Sequence, residues 1–172
     1  MKVRLILENE HSMDIELYPN IAPISVSNFL ELVDKKFYDG IVFHRIIKGF
    51  MAQVGGYYFD DKKREISLAK KTKEIKGEFK SNGFDNKLLH KKGVLSMART
   101  YIKDSASSQI FICTADAPHL DGEYAAFGKV VGEESFKVLD ELDNAHTVNA
   151  GGGLTDFPYP IIRIKTIERL DE

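Results

Sequence analysis

The sequence predicts a mainly β domain, a barrel or sandwich with helical caps. Three observations point there. Short runs rich in apolar and β-branched residues recur along the chain, separated by Gly, Pro, Asn and Asp. Only two segments keep a helical period, and they lie far apart. No internal repeat or linker divides the 172 residues, a length that suits one core. Closing such a sheet into a barrel would remove its exposed edges.

The elements follow in order. Residues 2–7 and 13–18 alternate partially and read as two strands around a polar turn at 8–12. Pro23 suits a first helical turn, and Val26, Phe29, Leu30 and Val33 then recur at helical spacing. Asp39-Gly40 ends that connection. Residues 41–46 and 50–54 read as strands around Lys48-Gly49. The stretch 57–92 is Lys-rich and weakly periodic, so it reads mainly as a long surface loop with short elements. Loops of that length are usually functional or mobile. Residues 93–99, 109–114 and 125–131 are strand-like. Residues 133–142 start acidic and place Phe136, Leu139 and Leu142 at helical spacing, which predicts the second helix. A Gly/Pro loop at 149–160 leads to a closing strand at 161–167.

Composition narrows the function classes. The chain is 43% hydrophobic and 29% charged, as in an ordinary globular protein. A net charge of −2 gives no global basic field for nucleic acid. No apolar run approaches the ~18 residues of a membrane span, and residues 1–10 do not resemble a secretory signal. Cys113 is the one cysteine, so no intramolecular disulfide forms and a reducing cytoplasm is the simpler setting. No feature demands a dimer, so a monomer is expected.

Most candidate chemistries fail. The five histidines, His11, His44, His90, His119 and His146, show no metal-ligand spacing, so no metal is expected. Cys113 sits in an apolar run, as buried structural cysteines do. Ser105, Ser107 and Ser108 lack a nucleophile elbow. Gly151-Gly152-Gly153 does not sit between a strand and a helix, and no phosphate-binding lysine motif follows it, so it reads as a flexible loop. The lysines of 57–92 alternate with Asp60, Asp61, Glu65 and Glu74, as on a solvated loop.

One residue resists that treatment. Arg45 stands inside the apolar run FHRIIKGFMAQVGG, residues 43–56. Strand alternation would put Phe43 and Arg45 on one face and His44 on the other. Gln53 offers an amide donor and acceptor, and Phe50 and Met51 offer an apolar wall. A cation beside a greasy concavity suits an apolar ligand that carries one polarisable backbone group.

These residues also carry a resemblance. Phe43-His-Arg-Ile-Ile-Lys-Gly-Phe-Met-Ala-Gln53 resembles the signature of the cyclophilins, the peptidyl-prolyl cis-trans isomerases. Val94-Leu-Ser-Met-Ala98, Ser107-Ser-Gln-Ile-Phe-Ile112 and Leu120-Asp-Gly-Glu-Tyr-Ala-Ala-Phe-Gly-Lys-Val130 resemble three further family blocks, in family order. The Asn28-Phe29 helix fits as well. The match spans most of the chain outside 57–92, and four blocks in order are highly specific.

The resemblance implies one cyclophilin-like domain over 1–172, a closed eight-stranded antiparallel β-barrel capped by two helices. It implies a site on the barrel's outer face, because barrels of this size are filled by their own side chains. It implies a prolyl isomerase without cofactor, acting on proline-containing peptides and unfolded protein segments. Arg45 and Gln53 would be catalytic. Phe50, Met51, Phe111 and Leu120 would form the proline pocket. Gln109 and the backbone of Ala98 and Arg99 would line the peptide groove. Tyr124 stands where the family often has His, and keeps an aromatic wall and a hydroxyl. His119 stands where many members carry Trp, which implies weakened cyclosporin binding. Val54 replaces the first Gly of the family's QGGD, and Gly55-Gly56-Tyr57 follows. Arg99-Thr100 and the Lys-rich loop look bacterial. Two other readings compete: a binding module with the same groove and little turnover, and an unrelated barrel carrying a ligand in its lumen.

Overall fold

The computed structural model describes residues 1–170. The described residues form twelve strands and two α-helices. The strands are β1 (Lys2–Leu7), β2 (Ser12–Leu17), β3 (Phe43–Ile47), β4 (Met51–Val54), β5 (Tyr57–Asp60) and β6 (Glu65–Leu68). They continue as β7 (Val94–Met97), β8 (Ile110–Cys113), β9 (Ala126–Val131), β10 (Thr147–Val148), β11 (Phe157–Pro158) and β12 (Ile164–Leu170). The helices are α1 (Pro23–Asp34) and α2 (Glu133–Asp143). Eight strands form one antiparallel sheet in the order β12-β1-β2-β9-β7-β8-β4-β3.

Strict alternation builds the first hairpin. Val3, Leu5 and Leu7 of β1 and Met13, Ile15 and Leu17 of β2 all point into the core. α1 packs Val26, Phe29, Leu30 and Val33 inward, as their spacing predicts. The Phe29 ring lies 5.5 Å from both Tyr38 and Phe127. α2 begins after Gly132 (φ 93) with Glu133 and Glu134 in its first turn, where acidic groups oppose the helix dipole favourably.

Stretch 57–92 is more structured than a surface loop. β5 and β6 make a hairpin of their own. Further on, Ile75, Glu78, Phe79, Asn86 and His90 are buried. Glu78 caps α1 from a distance. Its carboxylate accepts from the backbone amides of Ile24 (3.1 Å) and Ser25 (2.6 Å) and from the Ser25 hydroxyl (2.8 Å). α1 has no side-chain cap of its own, so this long-range carboxylate supplies the acceptor its first turn lacks. The 149–160 loop likewise contains β11, which pairs with β10.

The closed barrel expected from the resemblance is not what the strand ladder forms. The ladder is an eight-stranded half-barrel that ends at β12 and β3. At the seam only short segments meet. Gly40 N–H donates to Ile164 O, Ile164 N–H to Ile41 O and Phe43 N–H to Ile162 O, each at 2.9 Å. A single bridge, Val42 with Arg163, sits between them. β12 begins only at Ile164 and β3 only at Phe43, so the two edges overlap too little to pair as strands.

Two apolar clusters result. The main core lies inside the curled sheet. A second, smaller cluster of Met51, Phe111, Cys113, Ala117 and Leu120 lies on the outer face, with Ile47, Phe50, Ala98 and Tyr124 against it. β4 and β8 serve both. Ala52, Val54, Ile110 and Ile112 face the core, while Met51, Phe111 and Cys113 face outward. Among the described residues no helix is long and apolar enough to cross a membrane.

Candidate active site

The outer cluster floors a cavity of about 110 Å³ lined by Arg45, Phe50, Met51, Gln53, Ala98, Arg99, Phe111, Leu120 and Tyr124. A second hollow of about 210 Å³ shares Gln53, Ala98 and Arg99 with it and adds Thr100, Ser105, Ser107 and Gln109. His119 stands at the rim, exposed, its ring 5.3 Å from that of Phe50. All eleven residues singled out in the sequence therefore meet in one place. A larger groove of about 570 Å³ runs between the β5–β6 hairpin and the 148–159 loop. It contains none of these residues.

Arg45 is exposed, not buried, which removes the apparent cost of a charge in an apolar strand. The expected alternation fails here for a definite reason. β3 carries one extra residue: Phe43 pairs with Val54 and Arg45 with Gln53, so His44 has no opposite number. The bulge turns Phe43 into the core while Arg45 faces outward beside Gln53. His44 is left buried against Tyr57, ring to ring at 4.6 Å, with its Nδ1 unpartnered.

A relay of amides orders the polar side. Arg45 Nη1 donates to Gln53 Oε1 at 3.3 Å, a long bond with room to tighten on a ligand. Gln53 Nε2 donates to Gln109 Oε1 at 2.8 Å. Gln109 in turn lies against Gly56, where a Cβ would sit 2.4 Å from its Nε2. The Gly55-Gly56 pair thus makes room for residues 108–109 just ahead of β8, and a Cβ on Gly55 (φ 113) would sit at a similar distance from Ser108 O. Val54 is a core residue and leaves the Gln53 amide on the outer face.

The apolar side is braced from behind. Phe111 stacks on His90 (6.0 Å, 17°) and meets Tyr124 edge-on (5.7 Å, 84°). His90 is fixed at both ring nitrogens, Nδ1 to Asp121 Oδ1 at 3.1 Å and Nε2 to Ser96 Oγ at 2.8 Å. Burial pushes its pKa down, against the pull of Asp121. Arg99 contributes a side chain as well as backbone. Its guanidinium sits 4.6 Å over Tyr124 and 4.7 Å over Phe79, and it donates to Glu123 O at 2.7 Å. Cys113 lies within the cluster, fully buried, its thiol pushed up to about 12, chiefly by desolvation. A neutral thiol at that site cannot act as a nucleophile at ordinary pH.

Comparison with known proteins now decides the family. The family model described as cyclophilin type peptidyl-prolyl cis-trans isomerase/CLD matches residues 2–169. The chain is 40% identical over 168 residues to peptidyl-prolyl cis-trans isomerase A of Dickeya dadantii, covering 95% of this chain and 79% of that protein. It is 37% identical over 148 residues to peptidyl-prolyl cis-trans isomerase B of Bacillus subtilis, covering 86% and 96%. The chain belongs to the cyclophilin family. A crystal structure of a Cryptosporidium parvum cyclophilin type isomerase, solved in the presence of the dipeptide Ala-Pro, superposes with a TM-score of 0.79. That match is 27% identical and covers both chains completely.

Within this cyclophilin fold, several residues that shape the site carry little signal in the sequence. His90, Ser96, Asp121 and Phe79 do not touch the cavity as lining groups; they hold Phe111 and Arg99 in place. His90 and Phe79 come from stretch 57–92, where no periodicity marked them. Asp121 was visible only as part of the matched Leu120-Asp-Gly block.

Proposed function

We propose that this cyclophilin isomerises X–Pro peptide bonds in proline-containing peptides and unfolded segments, and so assists folding. One observation carries the reading. An exposed guanidinium stands at the mouth of an apolar cavity sized for one small side chain, with two amide side chains beside it.

The chemistry breaks no bond. The planar X–Pro amide is held by partial C–N double-bond character, with a rotation barrier of about 18–20 kcal/mol. Unaided exchange takes tens to hundreds of seconds. Turnover near ~10³ s⁻¹ requires a barrier of about 13 kcal/mol, so the site must remove about 7 kcal/mol. As the bond twists, the proline nitrogen loses its resonance and gains a lone pair. Arg45 donates a hydrogen bond to that nitrogen, an interaction the planar ground state cannot accept. Phe50, Met51, Phe111 and Leu120 hold the proline ring while the acyl side rotates. Gln53 orients Arg45, and Gln109 holds Gln53. Ala98 and Arg99 offer backbone along the peptide. A guanidinium needs no pKa tuning for this role.

The same reading takes 1–172 as one domain, monomeric and cytoplasmic, with a short seam that closes the half-barrel. The backbone bonds between 40–43 and 162–164 support that closure. With His119 in place of an indole, cyclosporin binds less tightly.

The test is cis/trans exchange of a short neutral X–Pro peptide by NMR, with wild type and Arg45→Ala. Loss of one charge-assisted donor aimed at the transition state is expected to slow exchange by about 10²–10³, with the peptide still bound. Equal exchange in both proteins would overturn the role of Arg45. Uncatalysed exchange in both, with binding intact, would make the protein a binding module instead.

A further inference from the structure

A further concavity lies across the 105–108 loop from the proposed groove. It measures about 390 Å³ and is lined by the end of α1 and the strap 70–73. Its floor is apolar, with Leu32 buried and Phe37 half-buried. Its rim carries four lysines, Lys35, Lys70, Lys71 and Lys73, against one carboxylate, Glu31. Glu31 is engaged by Lys35 at 2.9 Å, and the Lys73 charge also acts on it from further off. Among the described residues Lys70, Lys71 and Lys73 form no ion pair. Glu74 follows them but does not line the hollow.

The strap is tied at both ends and open between. Ala69 N–H donates to Gly56 O at 2.9 Å, and Ile75 N–H donates to Ala106 O at 2.8 Å. Among the described residues, no backbone amide or carbonyl of 70–74 enters a hydrogen bond. An unpaired backbone beside an apolar hollow is how extended peptides are received. Asn28 lines this hollow and donates to Ser107 O at 2.7 Å, and Ser107 lines the hollow beside Gln109. The two sites therefore share a wall.

We propose that this lysine-rimmed hollow docks acidic segments of polypeptides, with an apolar side chain in the hollow and flanking carboxylates on the lysines. Where such a segment belongs to a chain whose proline occupies the Arg45 cavity, the two contacts raise the local concentration of that proline. That last step rests on the isomerase reading; the docking itself does not. A peptide suits the site better than nucleic acid. The basic patch is one strap wide on a protein of net charge −2, and its aromatic ring is half-buried rather than presented for stacking.

The probe is a proline-free peptide of the type Glu-Glu-Leu-Glu-Glu, titrated into labelled protein and followed by amide shifts. Shifts are expected at Phe37 and 70–73, not at Arg45 or Gln53. Binding is expected to weaken at least about tenfold in Lys70→Glu/Lys71→Glu/Lys73→Glu. It should also weaken as salt rises from about 0.01 to about 0.15 M, where the screening length falls from about 30 to about 8 Å. Exchange of the short neutral X–Pro peptide is expected to stay within about twofold in the triple variant, since no lysine of the strap lines that cavity. No shift at the strap, equal binding of a neutral analogue, or tighter binding of oligodeoxythymidylate would each overturn the proposal. Failure of the isomerase reading would show separately, as absent exchange of the neutral peptide in wild type.

Discussion

Gly56→Ala separates the relay from the fold. Gly56 does not occupy the left-handed region, so its backbone accepts an L residue without strain. The obstacle is a side chain. The new Cβ would stand 2.4 Å from Gln109 Nε2, 2.7 Å from Cδ and 3.0 Å from Cγ. Ordinary contact needs about 3.5–4 Å, so the Gln109 amide must retreat by about 1 Å. The Gln53–Gln109 bond is 2.8 Å long and does not survive such a move. One neutral hydrogen bond contributes about 1 kcal/mol net. Replacing Gly with Ala returns about 0.4–1 kcal/mol by restricting the unfolded chain. Stability should therefore change by less than about 1 kcal/mol. Catalysis has no such compensation. If Gln53 orients Arg45 only while Gln109 holds it, about 1 kcal/mol of transition-state stabilisation is lost, a slowing of about fivefold. X–Pro exchange by NMR and urea unfolding on the same samples measure both quantities. Adding Gln109→Ser removes the clashing atoms, so the Gly56→Ala effect on rate should vanish in that background. Wild-type exchange in Gly56→Ala would refute the relay. A slowing that persists unchanged with Gln109→Ser would place the cause elsewhere.

Two further outcomes are expected. His44 has its pKa pushed down to about 4, first by burial and then by the Arg45 charge, with Gln109 opposing. The unfolded chain binds that proton near pH 6.5, so between the two values the unfolded state holds more protons. The stability carried by the neutral imidazole is complete above about pH 6.5 and is lost as pH falls through about 4, on the order of 3 kcal/mol. Urea unfolding of wild type and His44→Gln across that window should show the wild type falling faster by that order; parallel curves would sink the assignment. For cyclosporin, His119 gives Phe50 a smaller and exposed ring partner. Inhibition of exchange is expected to need well above nanomolar drug and to strengthen in His119→Trp; tight inhibition of wild type would refute this.

Much of the fold was legible because local and global signals agreed. β1 and β2 alternate without a break, α1 opens on Pro23, and the outer-face residues of β4 and β8 fall in matched motif blocks. Features that depend on distant partners were not legible. The Glu78 cap on α1 joins residues 53 apart in sequence, and nothing near Ser25 announces it. The role of His90 depends on Ser96, Asp121 and Phe111 meeting it from three segments. The β5–β6 hairpin was obscured by its lysines and by only partial burial of its apolar residues. The parity of Arg45 was misread for a subtler reason. A single unpaired residue reverses every later face on a strand, and hydropathy cannot mark it when Phe43, His44 and Ile46 are all buried.

That bulge bears on how the site is held. β4 and β8 bury apolar side chains on both faces, so the core and the outer cluster grip the same backbone from opposite sides. On the neighbouring β3, Arg45 faces outward because His44 absorbs the extra residue and swings the next side chain out. The guanidinium then stands free beside Gln53, while Phe43 and Ile46 anchor its strand on either side. Such a cation is fixed in position through its backbone and left loosely bonded at its head. The proposed hydrogen bond to a transient lone pair would draw on that combination: little to reorganise in the main chain and one weak bond, at 3.3 Å, to exchange for a better one.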